Sequence, residues 1–358
     1  MRRPTLGGFT LGAAMLVMVG GSRGAPFVDR GAPPESKILG SRHVAVTAAP
    51  ARDQGRVVEL SFWAQSRGVR KRLLAWLPPS YDRSTTRRYP VAFYLHGLWG
   101  DETNWTRLGA LANTLDSLVG SGMPEFIVVM PDGDDGWYTT WNTLGDYGAC
   151  RREFKEKEGD TVDSYCVPWL HYDDYVARDV VAIVDRELRT DPRRARRAIA
   201  GLSMGGYGAL SIAFQYPDVF SVAVSHSGVL SPLHDGPTPF AAPARYAASA
   251  ERLKERWGER FWPLIGPAFG PDTTAWWARD PARTAARLWR GQRSKMPAVM
   301  FDVGTEDDLL DQNRAFRWEL QRLGVPHQYT EWPGKHDWPY WTLHARESLR
   351  FIAARIAN

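Results

Sequence analysis

A chain of 358 residues, 44% apolar and 12% aromatic, is long enough to bury one large core or two ordinary ones and excludes an intrinsically disordered chain. The formal charge of +5 rests on arginines scattered among acids, with only seven lysines, so neither a nucleic-acid patch nor a polybasic membrane tail is implied. Two cysteines are too few for a disulfide scaffold, and no Cys/His spacing suits a metal.

Residues 1–24 read as an export signal. Arg2 and Arg3 precede a short apolar run at residues 11–19, and small residues at Ser22 and Gly24 suit cleavage before Ala25. The run is too short to span a bilayer, and no lipid-attachment cysteine follows, so no stable membrane anchor is expected. Residues 25–54, rich in Pro, Gly and Ala, read as a linker or surface-wrapped arm. A single catalytic domain is expected over 55–358.

Two alternating stretches, 57–63 and 72–77, predict antiparallel strands around a turn at Ser66-Arg67-Gly68. Continuous apolar runs at 91–95 and 126–130, separated by a helical pattern near 108–119, predict buried parallel strands. The rhythm continues with a helix at 172–188, a strand at 198–202, a helix at 205–215 and strands at 219–224 and 298–303. A helix at 311–323, a strand at 327–330 and a helix at 339–356 complete it. This alternation predicts an α/β fold with a doubly wound, mostly parallel sheet. Two segments interrupt it as lid-type insertions, 137–169 and the Trp-rich 230–295. Both follow the C-terminal end of a strand, the edge where such sheets bind ligands. Cys150 and Cys166 lie in the first insertion, where an oxidising compartment favours a disulfide closing the loop.

The chemistry centres on Gly201-Leu202-Ser203-Met204-Gly205. The same Gly-x-Ser-x-Gly spacing recurs at Gly20-Gly21-Ser22-Arg23-Gly24 with no strand before it, so the pattern carries weight only through its flanks. Ser203 has a strand before it and a helix after it, as a nucleophile elbow requires. A serine hydroxyl needs a histidine to take its proton and a carboxylate to orient that histidine, here in the order Ser, acid, His. His336 sits in a Gly-preceded loop in that order. His327 falls in a strand pattern and His344 in the terminal helix, while His226 and His234 precede the acids. Among Asp302, Glu306, Asp307, Asp308 and Asp311, the choice is Asp307: Asp302 is still in its strand, and Asp308 or Asp311 suits a helix cap. Oxyanion donors are expected from the backbone of Met204 and of Leu98, in the Gly-flanked turn 96–100.

Four motifs in order, L-H-G-L at 95–98, G-L-S-M-G-G at 201–206, G-T-E-D at 304–307 and G-K-H-D-W at 334–338, resemble the Putative esterase family. That family includes esterase D (S-formylglutathione hydrolase), the feruloyl esterases of carbohydrate esterase family 1 and the mycolyltransferases of the antigen 85 group. The resemblance implies an α/β-hydrolase fold, the triad Ser203, Asp307 and His336, and Leu98 and Met204 as oxyanion donors. It also likens Met130-Pro131-Asp132-Gly133 with Trp137-Tyr138 to a pocket-side loop. The expected function is an exported serine ester hydrolase acting on a carbohydrate-linked or aromatic acyl ester, without cofactor or metal. Trp99, Trp137, Tyr138, His226 and Trp338 are expected to line the substrate site. The alternatives are an acyltransferase of the mycolyltransferase type and a non-catalytic carbohydrate-binding relative. The sequence does not set the oligomeric state.

Overall fold

Alternation of apolar and polar residues builds an antiparallel hairpin from β2 (Arg56–Ala64) and β3 (Val69–Leu77), closed by the expected turn. The computed structural model describes residues 54–140, 151–152 and 171–357, together with the backbone of a two-residue strand, β1 (Lys37–Ile38). Both cysteines, Trp141 and the N-terminal apolar segment lie outside the described residues. β1 comes from the stretch read as linker or arm and pairs antiparallel with β2.

The remaining strands are β4 (Val91–Leu95), β5 (Ile127–Pro131), β6 (Arg197–Leu202), β7 (Val222–His226), β8 (Ala298–Gly304) and β9 (His327–Trp332). The sheet order is β1-β2-β3-β5-β4-β6-β7-β8-β9. β1, β2, β3 and β5 pair antiparallel in that succession, and β5 through β9 form one parallel block. Every residue of β4, β5, β6 and β7 is buried, as continuous apolar runs between two helical layers require.

Helices cover both faces. α1 (Asn104–Arg107) and α2 (Leu111–Gly120) replace the single helix expected near 108–119. Ala110 at φ 47° breaks the run there. A helix over residues 172–187, α3, carries a π-type turn at Tyr175–Val180. α4 (Met204–Gln215) follows Ser203. The second insertion folds into α5 (Ala250–Phe269), α6 (Thr273–Arg279) and α7 (Pro281–Gly291), each N-capped by an acceptor side chain: Ser249, Asp272 and Asp280. α8 (Leu310–Leu323) and α9 (Trp338–Ile356) complete the domain. α2 and α9 pack on one face of the sheet; α3, α4, α7 and α8 share the core of the other. No helix among the described residues is long and apolar enough to cross a membrane.

β7 begins three residues later than its expected start at residue 219. Val219 closes a turn onto the Tyr216 carbonyl, and the ladder starts only at the Ala198–Val222 pair. That shift carries the strand through His226, to the level of Leu202 and Asp302.

Candidate active site

The switch in strand order at the centre of the sheet leaves a crevice at the C-terminal ends of β4 and β6, and the site is built there. β6 ends at Leu202, and Ser203 takes φ 54°, ψ −118° before α4 starts. Such a conformation costs a non-glycine residue on the order of 1–3 kcal/mol. It persists because its surroundings leave no alternative. A Cβ on Gly201 would lie 2.2 Å from the Gly205 carbonyl oxygen, and one on Gly205 would lie 2.4 Å from that of His96. Strand, elbow and neighbouring loop can close together only with glycine at both places. The Ser203 N–H donates to the His226 carbonyl at 2.9 Å, which ties the elbow to β7.

Asp307 and His336 arrive on the loops after β8 and β9. These loops run backbone against backbone: Glu306 N–H donates to the Gly334 carbonyl at 2.9 Å and Thr305 N–H to that of Trp332 at 2.8 Å. The Asp307 side chain is fully buried and accepts the Leu309 N–H at 2.8 Å. His336 Nδ1 lies 2.9 Å from Asp307 Oδ2 and 3.1 Å from Oδ1, and its Nε2 lies 2.9 Å from Ser203 Oγ. Because a carboxylate only accepts, the network assigns the proton to Nδ1 and leaves the Nε2 lone pair for the serine hydroxyl. The imidazole packs edge-on against Trp341 with centroids 4.9 Å apart, and its side chain remains 31% exposed. One face is thus fixed and the other open to a substrate.

The loop after β4 passes directly over the serine: a Cβ on Gly97 would lie 3.3 Å from that of Ser203. His96 holds this loop from below. Its Nδ1–H donates to the Gly97 carbonyl at 2.8 Å, and its Nε2 accepts the Gly133 N–H at 2.8 Å. Asp132, 3.7 Å away, favours a charged imidazole, but the Gly133 N–H needs a lone pair at Nε2 and so fixes the neutral ring. Under His96 lies a buried charge network: Lys71 pairs with Asp132 and Asp134, and Arg67 and the Tyr172 hydroxyl also reach Asp134, each at 3.0 Å. Burial alone would raise the Asp132 carboxyl, yet the Lys71 ammonium outweighs it and holds it far below the usual carboxylate range. Burial likewise disfavours the Lys71 ammonium, and Asp132 and Asp134 reverse the effect. Met204, the first residue of α4, follows Ser203 directly, and Leu98 follows Gly97, the residue of the overlying loop that comes against the serine.

The aromatic residues expected to line the site divide. Trp99, at φ 62°, donates its N–H to Asp135 Oδ1 at 2.6 Å and leaves its indole 51% exposed, stacked on Phe261 of α5 with centroids 5.9 Å apart. Trp338 is half-buried, edge-on to Trp105 and Trp341. Trp137, Tyr138 and His226 line no open wall, contrary to expectation. Trp137, 2% exposed, is wedged edge-on among Tyr207, Trp257 and Phe269. Tyr138 is fully buried against Gly133 and Gly208 and donates to the His96 carbonyl at 3.3 Å. His226 is equally buried and turns to Asp302. Sequence reasoning missed Phe261 and Arg260, which meet Trp99 from the insertion, and the charge network beneath His96. An aspartate pair directly after a buried strand, at Asp132 and Asp134, was the available signal for the network. Among the described residues, no group of three or more His, Cys, Asp and Glu side chains could hold a metal.

Comparison with known proteins matches residues 66–352 to the family described as Putative esterase. The chain belongs to this esterase family. A curated family relative, Esterase Rv1288 of Mycobacterium tuberculosis, is 29% identical over 279 residues, 73% of this chain and 51% of that protein. The chain therefore spans about half the length of that relative. An endo-1,4-beta-xylanase/feruloyl esterase of Xylanibacter ruminicola is 28% identical over 187 residues, 48% of this chain and 23% of that protein. Among solved structures, a ferulic acid esterase superposes with a TM-score of 0.62 at 23% identity, covering 85% of this chain and 99% of that one. At that identity the likeness speaks for the fold, and the fold is the α/β-hydrolase esterase architecture.

Proposed function

We propose that this protein is an exported serine carboxylic-ester hydrolase that works through an acyl-enzyme. The observation that carries the reading is the continuous hydrogen-bonded chain from Ser203 Oγ through His336 to Asp307, standing on a strained strand-to-helix turn. Ser203 Oγ attacks the ester carbonyl carbon while His336 Nε2 takes its proton. Asp307 keeps the other ring proton at Nδ1 and stabilises the imidazolium that forms. The N–H groups of Leu98 and Met204 receive the developing oxyanion, each worth about 3–4 kcal/mol in such sites. The imidazolium returns its proton to the leaving alkoxide, and water then repeats the sequence on the acyl-enzyme.

The substrate is a carbohydrate-linked or aromatic acyl ester. Support comes from the open Trp99 indole beside the oxyanion loop and from the feruloyl esterase named among the relatives. No cofactor and no nucleic acid take part. Residues 1–24 direct export, and Cys150 pairs with Cys166 in the oxidising compartment.

The test is release of p-nitrophenol from short acyl esters, with fluorophosphonate labelling in parallel. Wild-type protein turns over and labels at Ser203; Ser203→Ala loses the label and about 10⁴- to 10⁶-fold in kcat. A Ser203→Ala protein that still turned over would overturn the reading.

A further inference from the structure

Beside the Ser203 elbow lies another imidazole–carboxylate pair, His226 and Asp302, that takes no part in the chemistry above. β8 reads AVMFDVG, and its single charged residue, Asp302, is fully buried. A carboxylate withdrawn from water costs several kcal/mol unless its oxygens are satisfied, so its partners indicate why it stays. Oδ1 accepts a hydrogen bond from the Tyr340 hydroxyl at 2.8 Å. Oδ2 lies 2.7 Å from Nδ1 of His226, in close contact but without the alignment of a ring N–H hydrogen bond.

Each partner leads to one side of the Ser203–His336 pair. The His226 carbonyl accepts the Ser203 N–H at 2.9 Å, and the Asp302 carbonyl accepts the Ser227 N–H at 2.8 Å, so β7 and β8 hold the elbow in register. Tyr340 stands in the first turn of α9, four residues after His336. Its N–H is capped by Asp337, and its ring packs against Gly334, where a Cβ would lie 2.5 Å from it. One buried carboxylate therefore touches both the strand pair that seats the serine and the helix start that seats the histidine.

We propose that Asp302, with Tyr340 and His226, is a positioning unit that sets the spacing between Ser203 Oγ and His336 Nε2. The proposal rests on the nucleophile–base reading of those two residues. A misplacement of about 1 Å at a reacting pair costs on the order of 10²-fold in rate, so a fixed tether at this place has kinetic consequences.

Tyr340→Phe removes one oxygen and keeps the ring, and it is the decisive variant. With p-nitrophenyl acetate, it is expected to lower kcat about tenfold per active site, counted by burst amplitude, with KM unchanged and Tm within about 2 °C. Asp302→Ala is expected to lose at least as much. Asp302→Asn, which still offers Tyr340 an acceptor, should recover most of that loss. A merely structural role predicts the reverse: a smaller burst and lower Tm, with kcat per active site intact. That result, or a Tyr340→Phe protein with wild-type kcat, overturns the proposal. Ser203→Ala run alongside separates the two readings. If it is inert while Tyr340→Phe is fully active, only the positioning unit fails; if it turns over, the nucleophile assignment fails.

Discussion

Of the imidazole–carboxylate pairs at one edge of the sheet, His226–Asp302 and His336–Asp307 differ in how far each residue is from its strand. His226 and Asp302 sit within β7 and β8, at 2.7 Å, wholly buried and misaligned, with the His226 Nε2 unpartnered among the described residues. His336 and Asp307 sit in the loops beyond β9 and β8, at 2.9 Å, aligned, with the outer ring nitrogen on a serine hydroxyl and the imidazole part-exposed. Strand geometry fixes a side chain to one face of the sheet and seals it under the helices. A loop of a few residues lets it turn over the strand ends toward a substrate.

The comparison breaks most visibly at the histidines. His336→Ala should lower kcat by about 10⁴- to 10⁶-fold in p-nitrophenyl ester hydrolysis, whereas His226→Gln should cost about tenfold or less. Comparable losses would mean that the two rings are not functionally distinct. The acids come next. Asp307→Asn keeps the shape but permits the wrong histidine tautomer, and about 10³- to 10⁴-fold in kcat should go with it. Asp302→Asn should stay within the tenfold range set by a positioning role. A single series of pre-steady-state measurements on the four variants ranks them.

The order Ser203, Asp307, His336 was legible because each residue follows its own strand in a short, Gly-marked loop, and such loops have few ways to point. The strands themselves were legible from unbroken apolar runs such as 91–95 and 198–202. The aromatic wall was not. Trp137 is closed off by Trp257 and Phe269, more than a hundred residues further on, and local periodicity carries no information about such a contact. Within the insertion, Trp276 stacks on Trp262, another contact that local periodicity does not reveal. His226 lies just beyond the strand expected at 219–224, at a strand end from which a side chain can reach a site. The ladder with β6 and β8 continues through it and buries it.

Another buried acid, Asp280, is a carboxyl with no imidazole beside it. Its Oδ1 caps α7 by accepting the Arg283 N–H at 3.0 Å, while Oδ2 is buried without a partner among the described residues. The Arg283 guanidinium turns away to lie over Trp277, 4.2 Å from the ring centroid. Burial pushes the Asp280 carboxyl up to about 7 from 3.8. The folded chain therefore keeps a proton that the unfolded chain has already lost. Stability is full below about pH 4, falls as pH rises toward 7 and is flat above. Asp280→Asn keeps the capping acceptor and removes the titration. Its unfolding free energy should match wild type near pH 4 and exceed it increasingly up to pH 7, by a margin on the order of 4 kcal/mol, with kcat unchanged. A margin independent of pH would mean that the carboxyl titrates alike in the folded and unfolded chain.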